Sequence, residues 1–263
     1  MRYLGGKWRL APWIISYMPP HRMYTEAFGG AASVLLRKPR VHAEIYNDLD
    51  GEVTNLFRVL RSPVDGRELT RQIRYTPFAR HEYEVAFLPA SDPIEQARRT
   101  LIKAAMGHGT NSIQRRTGFR PGHTRNGQIP AGDWQGLPSA LEEIIERLRG
   151  VIIEERPALD VIRRYDSTTT LHYVDPPYPH SVRGDDSRYR YEMSNAEHAE
   201  LAEALHSVHG MVIVSGYACG LYDSELYADW ERMERDTHAD GGRDRTEVLW
   251  IKPGAVRQPG LFA

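Results

Sequence analysis

A single cysteine, Cys219, in 263 residues excludes an internal disulfide and any zinc centre built on cysteines. Eleven histidines are present, but none falls in an HExxH-like spacing, so no metal-binding pattern emerges. No apolar run approaches the ~20 residues that a bilayer-spanning helix needs, and mean hydropathy is -0.53. The opening stretch MRYLGGKWRL lacks an apolar signal-peptide segment, and a cytoplasmic location is expected. Net charge is small as well: 34 basic against 35 acidic residues give -1, which by itself points to no polyanionic partner. The absence that matters most is local. From Gln96 to Gly132 there is no Asp or Glu, yet Arg98, Arg99, Lys103, Arg115, Arg116, Arg120 and Arg125 all lie there. Such a stretch suits a phosphate-binding surface, and equally a solvated loop with surplus arginine.

What is present reads as an ordinary globular chain, 41% hydrophobic and 26% charged. MYTEAFGGAASVLLRK (23–38) reads strand, glycine turn, helix, and HAEIYNDLDGEVTNLFRVLR (42–61) reads strand, acidic turn, helix. That alternation predicts an α/β fold with a doubly wound sheet. The rhythm then changes. Residues 62–106 are helix-like, most clearly DPIEQARRTLIKAAM, with Asp92 as N-cap and Pro93 at the first position. Residues 107–138 are rich in Gly, Pro, Asn and Thr and keep no helical period. Helix is expected to resume at SALEEIIERLRG (139–150), with Ser139 and Glu142 as a capping box and Gly150 as the stop. Alternation returns in VIIEE, ALDVIRRY, TLHYV, NAEHAELAEALHSV, GMVIVSGY and a final TEVLWIKP. The expected organisation is one discontinuous core, 1–61 and 139–263, interrupted by an inserted helical and loop region, 62–138.

Three places carry chemistry. EAFGGAAS (26–33) ends a strand with glycines that let a ligand approach the backbone, though it is not the GxGxxG dinucleotide pattern. Asp48 closes the next strand, where doubly wound nucleotide sites keep an acid for ribose hydroxyls; it can equally cap the following helix, as can Asp50. Lys7 follows two glycines, but Trp8 stands where a phosphate-cradling Walker loop needs Ser or Thr. Third, YVDPPYPH (173–180) ends a strand with two prolines, which cannot continue a ladder because they lack an N–H. The stiff elbow holds Asp175 and Tyr178 at a strand's carboxyl end, where open α/β folds bind ligands; the plainer alternative is a surface turn capped by Asp175.

Taken in order, YLGGK, EAFGGAAS, IYNDLD and YVDPPY resemble the Dam-type family of S-adenosylmethionine-dependent DNA N6-adenine methyltransferases in its alpha arrangement, and VSGYACGLY and TEVLWIKP extend the match. The resemblance implies a Rossmann-like methyltransferase sheet with residues 62–138 as a target-recognition region. It assigns Tyr3, Lys7, Glu26, Phe28, Gly29, Gly30 and Asp48 to the cofactor, with S-adenosylhomocysteine as product. It puts Asp175, a residue of both cofactor and target, with Pro176 and Tyr178 in catalysis on a flipped-out adenine of double-stranded DNA. Arg115, Arg116, Arg120 and Arg125 are the expected DNA-binding residues. Arg188, Tyr189 and Tyr191 are candidates for a lid over the flipped base, or members of an ordinary polar loop. One departure stands out: Pro157 occupies a place where an acid is expected, leaving Glu155 or Arg156 as substitutes. A monomer is expected, without a membrane and with room for a cognate restriction endonuclease as partner. Rival readings are cytosine-N4 methylation, for which Ser in place of Asp175 is usual, and a non-catalytic DNA-binding module on the same fold.

Overall fold

The computed structural model of this chain describes residues 6–109, 112–122, 129–183, 190–238 and 244–254. Its strands, β6 apart, carry β-branched and aromatic residues: β1 (Met23–Glu26), β2 (Ala43–Asn47), β3 (Ile152–Glu154), β4 (Thr170–Val174), β5 (Met211–Tyr217), β6 (Glu231–His238) and β7 (Asp244–Ile251). They form one seven-stranded sheet in the order β3-β2-β1-β4-β5-β7-β6. β1 runs parallel to β2 and β4, and β4 parallel to β5, while β7 is antiparallel to β5 and β6. Every residue of β4 is buried, as a central parallel strand requires. Strand order reverses between β1 and β4, where Glu26 pairs in register with Tyr173. The sheet is thus the expected doubly wound one, and its switch point lies beside the DPPY elbow.

The helices are α1 (Ala11–Ser16), α2 (Gly51–Arg61), α3 (Pro63–Tyr75), α4 (Arg80–Val85), α5 (Pro93–Met106), α6 (Pro130–Leu148), α7 (Ala158–Arg164), α8 (His180–Arg183) and α9 (Asn195–Ser207). Two compact units result. Asp50–Ile153 is helical, with α2 packed on α5 and α3 on α6. The second holds Lys7–Leu49 and the chain from Glu154 onward. In this second unit Val174, Val212, Val214, Val248 and Trp250 from the sheet meet Leu201, Ala202 and Leu205 of α9 and Tyr222, Tyr227 and Trp230. Among the described residues, no helix is long and apolar enough to cross a membrane.

Two local expectations are corrected, and one strand went unread. Residues 30–38 form consecutive turns, not a helix. The Leu35 amide donates to the Glu26 carboxylate at 2.8 Å, so it is diverted from a helical ladder, and Ala32 takes φ +52°. Helix α6 begins at Pro130, nine residues before the expected start, and runs through Pro138 and Ser139. Trp134 pins this first half: its indole donates to the Thr76 carbonyl at 2.9 Å, and Pro138 and Leu141 are buried. Burial therefore outweighs the hydrogen bond that Pro138 omits. Strand β6, ERMERDTH, is an edge strand whose polar side chains give no apolar period to read.

Candidate active site

At the carboxyl ends of β1 and β2 the chain is stitched into a shallow loop. Gly29 donates to the Asn47 carbonyl at 2.7 Å, the Gly30 amide to Asp48 Oδ2 at 2.7 Å, and the Tyr46 hydroxyl to the Gly30 carbonyl at 2.8 Å. Gly29 has no substitute there, because a Cβ would lie 2.2 Å from the Tyr46 ring. Gly30 takes φ +47°, a conformation that costs side-chain-bearing residues energy. Phe28 packs half-buried against the core. The N-cap of α2 is Asp50, whose side chain accepts from the Glu52 amide at 3.0 Å; the half-buried Asp48 carboxylate turns to the glycine loop instead. Asn47 extends the stitching to β3's end, donating to the Ala27 and Arg156 carbonyls and accepting from the Arg156 amide at 2.9 Å. Arg156 is thus held by its backbone while its guanidinium faces Glu154 at 3.3 Å. Pro157 precedes α7 directly, and Glu155 is exposed.

Glu26 lies behind this loop. Its Oε2 accepts from the Tyr24 hydroxyl and the Leu35 amide, both at 2.8 Å. Burial pushes its carboxyl up to about 8, against the pull of those two donors, so Glu26 is largely neutral at neutral pH.

The elbow after β4 gathers a denser cluster. Asp175 Oδ1 accepts from Ser215 on β5 at 2.9 Å and lies 3.1 Å from Lys7 Nζ. Ser215 is in turn bonded to the Tyr173 hydroxyl at 2.8 Å. Lys7 reaches Glu247 on β7 at 2.6 Å and also hydrogen-bonds the Tyr178 hydroxyl, which itself donates to Glu247 at 3.2 Å. Lys7 is 5% exposed, Tyr178 4% and Glu247 2%, so the charges are paired inside the protein. Burial raises both the Asp175 and the Glu247 carboxyls, and Lys7 is the largest influence opposing it. Lys7 Nζ meets Tyr178 at its hydroxyl end, and the Tyr217 ring lies 4.6 Å from the Tyr178 ring, tilted by 58°. Tyr178 is only 4% exposed, so accepting a base on its ring requires Tyr217 or another neighbour to shift. Lys7, Asp175 and Tyr178 are therefore brought together. Glu247 and Ser215 were missed as site residues by sequence reasoning; the one available signal was an acid inside the otherwise apolar strand TEVLWI.

The arginines separate in the helical unit. The chain after α5 pairs with itself: the His108 amide donates to the Gly118 carbonyl and the Arg120 amide to that of Met106. Arg115 and Arg116 are exposed on this loop. Arg120, at 7% exposed, is packed inside, with its guanidinium 3.8 Å from Asp133. Arg98 pairs with Glu82 at 2.7 Å and with Glu95 at 2.6 Å, Arg99 pairs with Glu95, and Lys103 with Glu52. The helical part of the acid-free window is thus neutralised in space by acids from outside it. Tyr3, Arg125, Arg188 and Tyr189 lie outside the described residues, and Tyr191 is exposed. Alanine at Arg115 or Arg116 is expected to weaken DNA binding, with the salt slope falling by about one for each phosphate no longer neutralised. Arg98→Ala, already ion-paired, should leave that slope unchanged. Salt-dependent binding titrations check both.

A family model described as D12 class N6 adenine-specific DNA methyltransferase matches residues 3–115, a span that holds Lys7, the glycine loop and Asp48. The chain is also similar to DNA adenine methylase of Escherichia coli (strain K12), 24% identical over 282 residues, covering 97% of this chain and 96% of the relative. A second relative, DNA adenine methylase of Salmonella typhi, is 24% identical over 285 residues, covering 99% and 95%. The family match over the first part of the chain, the relatives matched nearly end to end and the seven-stranded sheet agree. By these matches the chain is similar to the D12 class of N6 adenine-specific DNA methyltransferases over residues 3–115 and to DNA adenine methylases along nearly its whole length.

Proposed function

We propose that this enzyme transfers a methyl group from S-adenosylmethionine to the exocyclic N6 of an adenine turned out of double-stranded DNA, with Asp175, Pro176 and Tyr178 as the residues that receive it. The observation that carries this reading is Asp175 fixed at the carboxyl end of β4, at the sheet's switch point, by Ser215 and Lys7.

The residues at the ends of β1 and β2 fit such a donor by their chemistry. A half-buried carboxylate beside a positive-φ glycine offers acceptors for a ribose diol, and half-buried Phe28 offers an apolar face. Phe28, Gly29, Gly30 and Asp48 would hold it, with Glu26 supporting the loop from behind as a neutral acid. When bound, S-adenosylmethionine supplies an electrophilic methyl group on a sulfonium. Asp48→Ala should weaken its binding by roughly tenfold to a hundredfold, the size of a hydrogen bond to a charged group at ~1.5–3 kcal/mol. Calorimetry without DNA measures this, and an unchanged affinity would move the ribose contact elsewhere.

Adenine N6 is a poor nucleophile because its lone pair is delocalised into the ring. Hydrogen bonds from its two N–H groups to the Asp175 carboxylate and the Pro176 carbonyl hold the lone pair out of conjugation and aimed at the methyl carbon. As the new N–C bond forms, the nitrogen becomes acidic and Asp175 takes up one proton, which then passes to solvent. Pro176 and Pro177 keep both acceptors in place, and Tyr178 stacks on the base once its face is uncovered. Arg115 and Arg116, on the loop of the helical unit, are the proposed DNA contacts, and a cytosolic enzyme with or without a cognate restriction endonuclease suits this substrate. Labelled methyl transfer to unmethylated duplex DNA, followed by nucleoside analysis, tests the proposal. N6-methyladenine is the expected product; N4-methylcytosine, or no transfer, would overturn it.

A further inference from the structure

We propose that Glu247 on β7 is a positioning residue for methyl transfer: it holds Lys7 between two carboxylates and so determines how much negative charge Asp175 carries toward the amine. This rests on the reading of Asp175 as the acceptor of the N6 proton. The geometry is specific. One buried ammonium serves two carboxylates, Glu247 buried and Asp175 half-buried, so with both ionised the cluster carries one negative charge more than its cation balances. Lys7 Nζ lies closer to Glu247, 2.6 Å, than to Asp175, 3.1 Å. The Tyr178 hydroxyl turns toward Glu247 as well, at 3.2 Å. Glu247 therefore draws the cation partly away from Asp175 and leaves that carboxylate the stronger base. A carboxylate wholly neutralised by Lys7 would be a poorer acceptor, and one with no cation nearby would be protonated before the reaction. Glu247 also explains its own burial, because a carboxylate at 2% exposure with no task would be costly to keep.

The groups around the pair leave few others to titrate. Glu26 on β1 stays protonated up to about 8. Tyr173 on β4, Tyr217 on β5 and Tyr222 are all pushed up by burial and remain neutral. Arg245 on β7 lies over the Tyr217 ring at 5.3 Å. Below about pH 7.5, Lys7, Asp175 and Glu247 set the charge of the cluster.

The test is the pH dependence of single-turnover methyl transfer, from about pH 5 to 7.5, for the parent enzyme and for Glu247→Gln, Lys7→Gln and Asp175→Ala. In Glu247→Gln the remaining cation turns to Asp175. The acid limb should move to lower pH while the plateau rate falls roughly tenfold to a hundredfold. In Lys7→Gln the cation is removed from beside two like charges, and the acid limb should move to higher pH. Opposite displacements are the signature of charge-setting, because a merely structural role lowers the unfolding temperature and leaves both limbs where they were. Unmoved limbs with Asp175→Ala inactive would overturn the role of Glu247 alone. Retained turnover in Asp175→Ala would overturn the acceptor reading beneath it. Should Glu247→Gln fail to fold, the double variant Lys7→Gln/Glu247→Gln decides: with both charges removed its acid limb should fall below that of Lys7→Gln, and a limb unmoved from that of Lys7→Gln would overturn the role of Glu247, while Glu247→Asp, which keeps the charge, should leave the limb near the parent's.

Discussion

Asp175→Ala loses methyl transfer by about a thousandfold or more, the combined size of a proton acceptor and an orienting charge-assisted hydrogen bond. The fold should survive the change. Ser215 keeps its bond to Tyr173 at 2.8 Å, and Lys7 keeps Glu247 at 2.6 Å, so no cation is stranded. The hydrogen bonds of the loop at the ends of β1 and β2 do not involve Asp175, so the larger part of the cofactor site should survive the change. The variant is therefore expected to bind both cofactor and duplex DNA while failing at the chemical step. Single-turnover rates with a labelled methyl group, beside calorimetric binding of each ligand, separate the two. Near-parental turnover would remove Asp175 from the mechanism.

Glu26→Gln should flatten the protein's loss of stability with rising pH. The folded carboxyl is pushed up to about 8 from an ordinary 4.5 by burial, opposed by Tyr24 and the Leu35 amide. Below about 4.5 it is protonated in both folded and unfolded chains and contributes no pH dependence. Between 4.5 and 8 the unfolded chain releases the proton that the folded chain retains. The folded state then binds more protons, so stability falls as pH rises, by up to ~1.4 kcal/mol per unit. Above about 8 both states are ionised and the effect levels off. A glutamine carbonyl can accept the same two hydrogen bonds, and whatever its amide costs does not vary with pH. Urea unfolding of parent and variant at several pH values between about 5 and 8 should show the variant gaining a few kcal/mol on the parent. Parallel curves would mean that Glu26 ionises in the folded protein as it does unfolded.

Much of the fold was legible because its signals are local. TLHYV and GMVIVSGY are apolar, β-rich runs, and they fold as β4 and β5. Asp92 followed by Pro93 marks the start of α5, and the Asp92 side chain does accept from the Glu95 amide at 2.8 Å. Where local pattern misled, a distant partner overrode it. Glu26 takes the Leu35 amide and breaks the helix expected after the glycine turn. The Trp134 bond to Thr76 and the burial of Pro138 carry α6 through residues that look like a boundary. The acid-free window looked cationic because charge was counted along the chain, whereas Glu52, Glu82 and Glu95 meet its basic helix from outside.

The sequence by itself determined the order of the motifs, the doubly wound sheet and the residue types at two strand ends, since each follows from neighbours a few positions apart. Only the tertiary structure decided that Asp50, not Asp48, caps α2, that Arg115 and Arg116 are exposed while Arg120 is packed away, and that Lys7 joins Asp175 and Glu247. Lys7 and Glu247 are 240 residues apart, and Lys7 and Tyr178 are 171 apart. No periodicity or spacing can announce such a meeting. It comes from strand order, which sets β5 beside both β4 and the antiparallel β7 and so carries a buried acid from the end of the chain to the elbow that needs it.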